Sequence, residues 1–321
     1  MKIAFFTETN FTGKIPRSYP NLRTDMAWLA SLDADHWPIS FDKYLGEYDL
    51  GIVIFPKQYT NLNELNTIFS ISKFKSYCKK VLIMQEGPCN LWEDFSIDIQ
   101  VLYFNALQDC DGILCHNDSN INYFSGLVDN KPVYVMQTLM LSEPLKNEII
   151  QTSNRTGTIV GGNMTSWYGG WPSMMVALEI NEPISIVSMG RKNPNEEKYF
   201  PDVRYIPYMD WSKWMAQLSK YKYAVHLMPT HAAGTFALNC AYLGIPCIGY
   251  TGLDTQEQCH GNLTVELFDI ETAKKIAKKL ATNERFYNDC SEDAKHSYNI
   301  VYSESLFREK MLYRFTEILN S

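Results

Sequence analysis

The feature that most constrains this 321-residue chain is an alternation of short apolar runs with helical stretches, which occurs twice. In the first half, the runs at 3–6, 50–55, 81–84, 112–115 and 133–136 are short, apolar and β-rich, as strands covered on both faces of a parallel sheet are. Helical patterns fall between them at 24–32, 63–76 and 102–109. A polar stretch without strand pattern covers 142–155, and then the alternation restarts. Strands are expected at 158–160, 184–188, 203–205, 224–228, 247–250 and 264–267, with helices at 172–180, 211–220, 235–243 and 272–281. This order predicts an α/β protein of two facing Rossmann-like domains, each a doubly wound parallel sheet, with an interdomain cleft. The expected division is 1–150, 151–304 and a last amphipathic helix at 305–321 that packs back on the first domain. Ligands of such sheets sit beyond the carboxyl ends of the strands, so the loops after strands are where chemistry is sought.

Composition narrows the setting. No apolar run approaches the roughly 18 residues that span a bilayer, and the start M-K-I-A-F-F-T-E-T-N turns polar too quickly for a secretion signal. The eight cysteines form no C-x-x-C pair, and Cys115, Cys240 and Cys247 lie inside apolar runs, where a thiol acts as a small hydrophobe. Reduced thiols predict a cytoplasmic protein, in which the sequon at Asn163 carries no glycan. A net charge of −7 argues against whole-domain attraction to nucleic acid or anionic lipid. No transmembrane segment and no protein partner is indicated.

The richest stretch is 221–248, Y-K-Y-A-V-H-L-M-P-T-H-A-A-G-T-F-A-L-N-C-A-Y-L-G-I-P-C-I. It reads as strand, small-residue turn, helix, glycine and strand. A turn at Ala233 and Gly234 that opens a helix gathers the unpaired N–H groups of Thr235 and Phe236 and a positive dipole end, which suits a phosphate. His231 stands just before it. Gly161 and Gly162 follow the strand at 158–160 and permit close approach of a ligand to backbone. Arg191 and Lys192, after the strand at 184–188, would set positive charge beside a departing anion. Pro207 and Tyr208 follow the next strand, and Asp210 is placed to cap a helix.

In the first half, the loop after the opening strand carries Lys14, Arg17 and Arg23, a basic island in an acidic domain that would bind phosphates. Glu86 leaves the strand at 81–84 just before a glycine and a proline, where a carboxylate can deprotonate a hydroxyl. Asp25, His116 and Asp118 are rival bases.

The second half resembles the donor domain of GT-B glycosyltransferases. The spaced Gly244 and Pro246 after the helix fit that family's pattern, while its ribose-binding glutamate position is Asn239, an amide without the charge-assisted bond of a carboxylate. A weaker resemblance links the chain to the DNA glucosyltransferases of T-even bacteriophages. It rests on Glu86 before a proline-containing loop and on Gly161–Gly162, with Thr165, Ser166 and Trp167 where those enzymes carry arginines. These resemblances imply a glycosyltransferase that uses a nucleotide sugar, UDP-linked, as co-substrate, with no tightly bound cofactor and no metal. The acceptor they imply is a glycan or a hydroxymethylated base of phage-type DNA. A sugar-nucleotide 2-epimerase and a non-catalytic sugar-nucleotide-binding protein are the alternatives.

Overall fold

Two six-stranded, wholly parallel sheets frame the protein, in a computed structural model that describes residues 1–58, 61–188 and 192–321. Unit 1 is residues 1–141 with 304–321, and unit 2 is residues 142–303. The chain leaves unit 1 nine residues before the boundary read from sequence.

Unit 1 runs β1 (Ile3–Thr7), α1 (Thr24–Leu32), β2 (Asp35–Pro38), β3 (Tyr48–Ile54), α2 (Leu62–Ile68), α3 (Ile71–Lys75), β4 (Cys78–Met84), α4 (Ile97–Asp109), β5 (Gly112–Cys115), α5 (Ile121–Leu127) and β6 (Val133–Val135). Unit 2 runs β7 (Thr158–Val160), α6 (Gly170–Ala177), β8 (Ile184–Val187), α7 (Glu196–Tyr199), β9 (Arg204–Ile206), α8 (Trp211–Leu218), β10 (Tyr223–His226), α9 (Thr235–Leu243), β11 (Cys247–Tyr250), α10 (Asp254–Cys259), β12 (Thr264–Val265), α11 (Ile270–Thr282) and α12 (Glu284–Val301). The last helix, α13 (Glu304–Asn320), belongs to unit 1, where Phe307, Met311, Phe315 and Ile318 are buried as it packs on α1, β3 and β4.

Strand order places the sites. The first sheet runs β2-β1-β3-β4-β5-β6, so the order in which strands are added reverses between β1 and β3. The second runs β12-β11-β10-β7-β8-β9, and its order reverses between β7 and β10. At such a switch point the loops leaving adjacent strands diverge to opposite faces and open a crevice for a ligand.

Several elements depart from the expected pattern for physical reasons. β2, Asp-His-Trp-Pro, is a short edge strand whose charged and proline residues mask its β character, although His36 is fully buried. The helix expected over 63–76 breaks at Phe69 and Ser70, which adopt extended backbone. Phe69 instead joins an aromatic cluster, its ring 4.5 Å from Phe55 and 5.8 Å from Phe74. α12 was missed because only Cys290 and Ala294 of its 18 residues are buried, an apolar stripe too thin to stand out. All eight cysteines are free thiols, and no helix among the described residues is long and apolar enough to cross a membrane.

Candidate active site

The switch point of unit 2 is built from the loops after β7 and β10. Gly161 lies against the His226 ring, and a Cβ on it would fall about 2.6 Å from the ring carbon Cγ, closer than real side chains pack. Gly162 is packed likewise against Tyr168. The two loops are tied together, since Thr230 Oγ1 donates to the Trp167 carbonyl (2.7 Å) and Leu227 N–H donates to the Ser173 hydroxyl (2.8 Å). Gly234 caps α9 in the left-handed region (φ +66°), a conformation that glycine adopts without steric cost. Its carbonyl accepts from Thr255 Oγ1 (2.9 Å), which fixes the turn. The first-turn N–H groups of Thr235 and Phe236 have no intrahelical partners.

Two histidines border this helix start. His226, at the end of β10, packs its ring 4.9 Å from Phe236, and its Nε2 is sealed from solvent without a partner. Burial drives its pKa down to about 4, so the ring is neutral at pH 7. His231 is lowered by burial too, against the opposing pull of Glu257, and its Nε2 is likewise unpartnered. A buried polar atom without a partner costs about 1–3 kcal/mol. The His226 nitrogen, on a ring packed against Phe236 of α9, marks a place where a ligand's acceptor would be welcome, whereas His231 gives its one N–H to the Thr251 carbonyl and leaves Nε2 as an acceptor. Sequence reasoning found His231 and missed His226, whose position inside an apolar strand concealed it.

Other residues expected here are placed differently. Asn239 is buried at 2 % exposure, with its amide 3.3 Å from Trp211 Nε1. In the other amide orientation it accepts from Trp214 Nε1 and donates to the Thr235 carbonyl, each at 3.3 Å. Either way it is spent inside the fold rather than offered to a ribose. Lys192 is ion-paired with Glu197 and lies over the Tyr205 ring (4.9 Å), so its charge is already compensated. Arg191 lies outside the described residues. Pro207 and Tyr208 are exposed beyond β9, the edge strand two places out from the switch point. Asp210 holds the N-cap position of α8 but makes no capping side-chain hydrogen bond.

In unit 1 the loops after β1, β3, β4 and β5 converge on a cluster of titratable groups. Glu86 leaves β4 on a turn fixed by the residue before it. Gln85, 1 % exposed, donates to the Pro88 carbonyl (3.1 Å) and accepts from Trp92 Nε1 (2.9 Å) and Tyr103 Oη (2.5 Å). The next residue, Gly87, has φ +99°, which requires glycine. Burial would raise the Glu86 carboxyl, but the ion pair with Lys57, with the Arg23 charge behind it, outweighs burial and holds it below the usual range. Lys57, in the loop after β3, was not foreseen; nothing in its local sequence signals a partner 29 residues away.

Asp25 lies half-buried in the first turn of α1. Burial, and secondarily the nearby Glu86 charge, push its pKa up to about 6, although Met26 N–H (3.0 Å) and Thr24 Oγ1 (3.2 Å) donate to it. The start of α1 is held in place by the Thr24 N–H to Leu139 carbonyl bond (2.8 Å). His116, just beyond β5, is 3 % exposed, with neither ring nitrogen partnered and its ring 5.6 Å from Trp28. Burial lowers its pKa to about 4 against the opposing Glu86 charge, so it too is neutral at pH 7. The structure thus brings Asp25, Glu86 and His116 together. Asp118 is exposed and opens a short 3-10 turn.

The basic island is not free. Lys14 lies between Asp33 (3.2 Å) and Asp35 (3.4 Å). Arg17 grips Glu304 of α13 with two bonds, of 2.9 and 2.6 Å. Arg23 faces Asp25 and Glu86 electrostatically. Two of the three residues expected to bind phosphates are thus engaged in ion pairs within unit 1. Arg17→Ala is expected to cost about 0.5–1 kcal/mol, since the pair is bidentate but partly exposed. A thermal melt would show a small downward shift that salt reduces in the parent and not in the variant. The triplets at 33–35 and 109–111, Asp-x-Asp in pattern, are also engaged. The first holds Lys14, and in the second the Asp109 carbonyl (2.8 Å) and the Asp111 carboxylate (3.4 Å) hold Lys75. Among the described residues, no three His, Cys, Asp or Glu side chains are grouped as a metal would require.

No family model matches the sequence, and no curated protein does. Solved structures do match. Sucrose-phosphate synthase from Thermosynechococcus elongatus aligns over 99 % of this chain and 99 % of its own, with a TM-score of 0.69 at 8 % identity. HepE of Anabaena, solved with UDP-glucose, aligns over 99 % and 100 %, with a TM-score of 0.66 at 12 % identity. This is the GT-B fold. TarM of S. aureus, solved with UDP, aligns over 84 % of this chain with a TM-score of 0.63 at 14 % identity, and the chain spans 55 % of TarM's length. These likenesses lend no support to the expected kinship with phage DNA glucosyltransferases.

Proposed function

We propose that this protein is a glycosyltransferase that moves a sugar from UDP to an acceptor hydroxyl. The observation that carries the reading is the pairing of a GT-B fold with a helix N-terminus at the unit 2 switch point, flanked by two neutral histidines with unpartnered nitrogens. UDP-sugar in HepE and UDP in TarM support the choice of nucleotide. The diphosphate is assigned to the amides of Thr235 and Phe236, with Gly161, Gly162 and Gly234 allowing close approach and His226 donating an N–H bond. Preorganised donors of this kind stabilise charge as the diphosphate departs, and they act without a metal.

Asp25 is the base we assign on unit 1. A general base works best with a pKa near the operating pH. Asp25 meets that condition, whereas Glu86 is held low by Lys57 and is a weaker base. As the acceptor oxygen bonds to the anomeric carbon, its proton passes to Asp25. The bond from that carbon to the β-phosphate oxygen breaks and UDP leaves with the electron pair. Glu86 and Lys57 form a fixed pair beside the base.

UDP is expected to raise the melting temperature by a few degrees in the presence of a chelator, because a ligand of the native state stabilises it by mass action. Absence of any shift from UDP at about 100-fold over a micromolar Kd, about 2.7 kcal/mol of expected stabilisation, would remove the donor assignment.

A further inference from the structure

We propose that the acceptor taken by unit 1 is an uncharged, polyhydroxylated molecule, and that the site selects against phosphorylated acceptors and DNA. This rests on the reading of unit 1 as the acceptor side, and it names the substrate class of that site.

The first observation is where the cations have gone. A phosphate is recognised by Arg or Lys donors that hold no carboxylate already. Four described cations lie on the loops after β1, β3, β4 and β5, and each faces carboxylates. Lys14 has Asp33 and Asp35, Arg17 has Glu304, Lys57 has Glu86, and Arg23 faces Asp25 with Glu86. At the cluster itself, two cations meet two carboxyl groups. An acceptor phosphate would have to break an ion pair and then lie in the field of the carboxylate it had stripped, an arrangement of like charges at short range.

The second observation is what remains to bind with. His116 is 3 % exposed, and both its ring nitrogens are unpartnered. A neutral imidazole offers one donor and one acceptor, and a hydroxyl offers the reciprocal set. Vicinal hydroxyls can therefore satisfy His116 and the Asp25 carboxyl together. A phosphate, which only accepts, would leave the acceptor nitrogen of His116 buried and unmet.

The test uses the full chain, with UDP-glucose and UDP-N-acetylglucosamine each as donor, and follows UDP release. Glucose, maltose and glycerol are compared with glucose 6-phosphate and a duplex containing hydroxymethylcytosine. At least one neutral compound is expected to raise UDP release tenfold or more over buffer, while glucose 6-phosphate and the duplex raise it less than twofold. The inference is overturned if a phosphorylated compound or the duplex outperforms every neutral one, or if no neutral compound accelerates release. UDP binding, read separately by thermal shift, tells the two failures apart: without it the donor reading has failed, and with it only the acceptor class has. A second arm uses His116→Phe, which keeps an aromatic ring beside Trp28. Its KM for the neutral acceptor should rise tenfold or more at unchanged UDP affinity, with partial recovery in His116→Gln. An unchanged KM would also overturn the inference.

Discussion

Asp25→Asn is expected to lower turnover by about 10²–10⁴-fold, the usual loss when one general base is removed. UDP affinity should stay within about twofold, since the donor is assigned to unit 2. The amide keeps an oxygen for Met26 N–H and Thr24 Oγ1, so the local fold is preserved while the basic site is lost. The same substitution should stabilise the protein at alkaline pH. The Asp25 pKa rises from 3.8 in its ordinary state to about 6 when folded, so the folded chain holds this proton more tightly than the unfolded one. The stability it contributes is complete below about pH 4 and is lost as pH climbs through about 6. Above pH 7 the buried carboxylate is a burden on the order of 1–3 kcal/mol. Melting curves of parent and variant should diverge between pH 4 and 7, with the variant higher at pH 8. Parallel curves would deny the raised pKa, and turnover within about tenfold of the parent would pass the role of base to Glu86.

The second large effect is expected from Gly234→Val. The residue sits at φ +66°, where a β-branched side chain is strained, and an added Cβ would fall on Thr255 Oγ1 well inside van der Waals contact. Thr255 is 2 % exposed and cannot swing away freely. Strain and overpacking together are expected to cost roughly 2–4 kcal/mol, and UDP affinity should fall at least about tenfold as the turn at α9 is displaced. Gly234→Ala combined with Thr255→Ala removes the clash and leaves the φ strain, so it should regain stability more than affinity. A Gly234→Val protein that melts and binds UDP as the parent does would place the diphosphate elsewhere.

These two residues also show what was legible in the sequence. Gly234 could be read because a small-residue turn between a buried strand and a helix is a local pattern, and local patterns survive in one dimension. The same holds for Glu86 before its glycine and for Gly161 and Gly162 after β7. Two parallel sheets followed from the β/α alternation, but strand order did not, and β2, whose place beside β1 makes the first switch point, was hidden by its charged and proline residues. What escaped was pairing at a distance. Lys14, Arg17 and Lys192 read as free cations, yet Asp35, Glu304 and Glu197 neutralise them, and only the third of these partners is near in sequence. Lys57 and His226 carried no local sign, because a β3 loop and a strand end meet their neighbours through the fold. Asn239 occupied the expected place on α9, but the tryptophans of α8 claim its amide. The ranking of Asp25 above Glu86 needed burial and charge at the same point, and neither can be read from residue spacing.

The central claim is tested most directly by incubating the full chain with a UDP-sugar and a neutral saccharide in chelator, then measuring both products by mass spectrometry. The expected product is a saccharide heavier by one glycosyl unit, formed in equal amount with UDP, at a rate about 10²–10⁴-fold lower with Asp25→Asn. Free sugar alone, an epimerised UDP-sugar, or no UDP at all would contradict it.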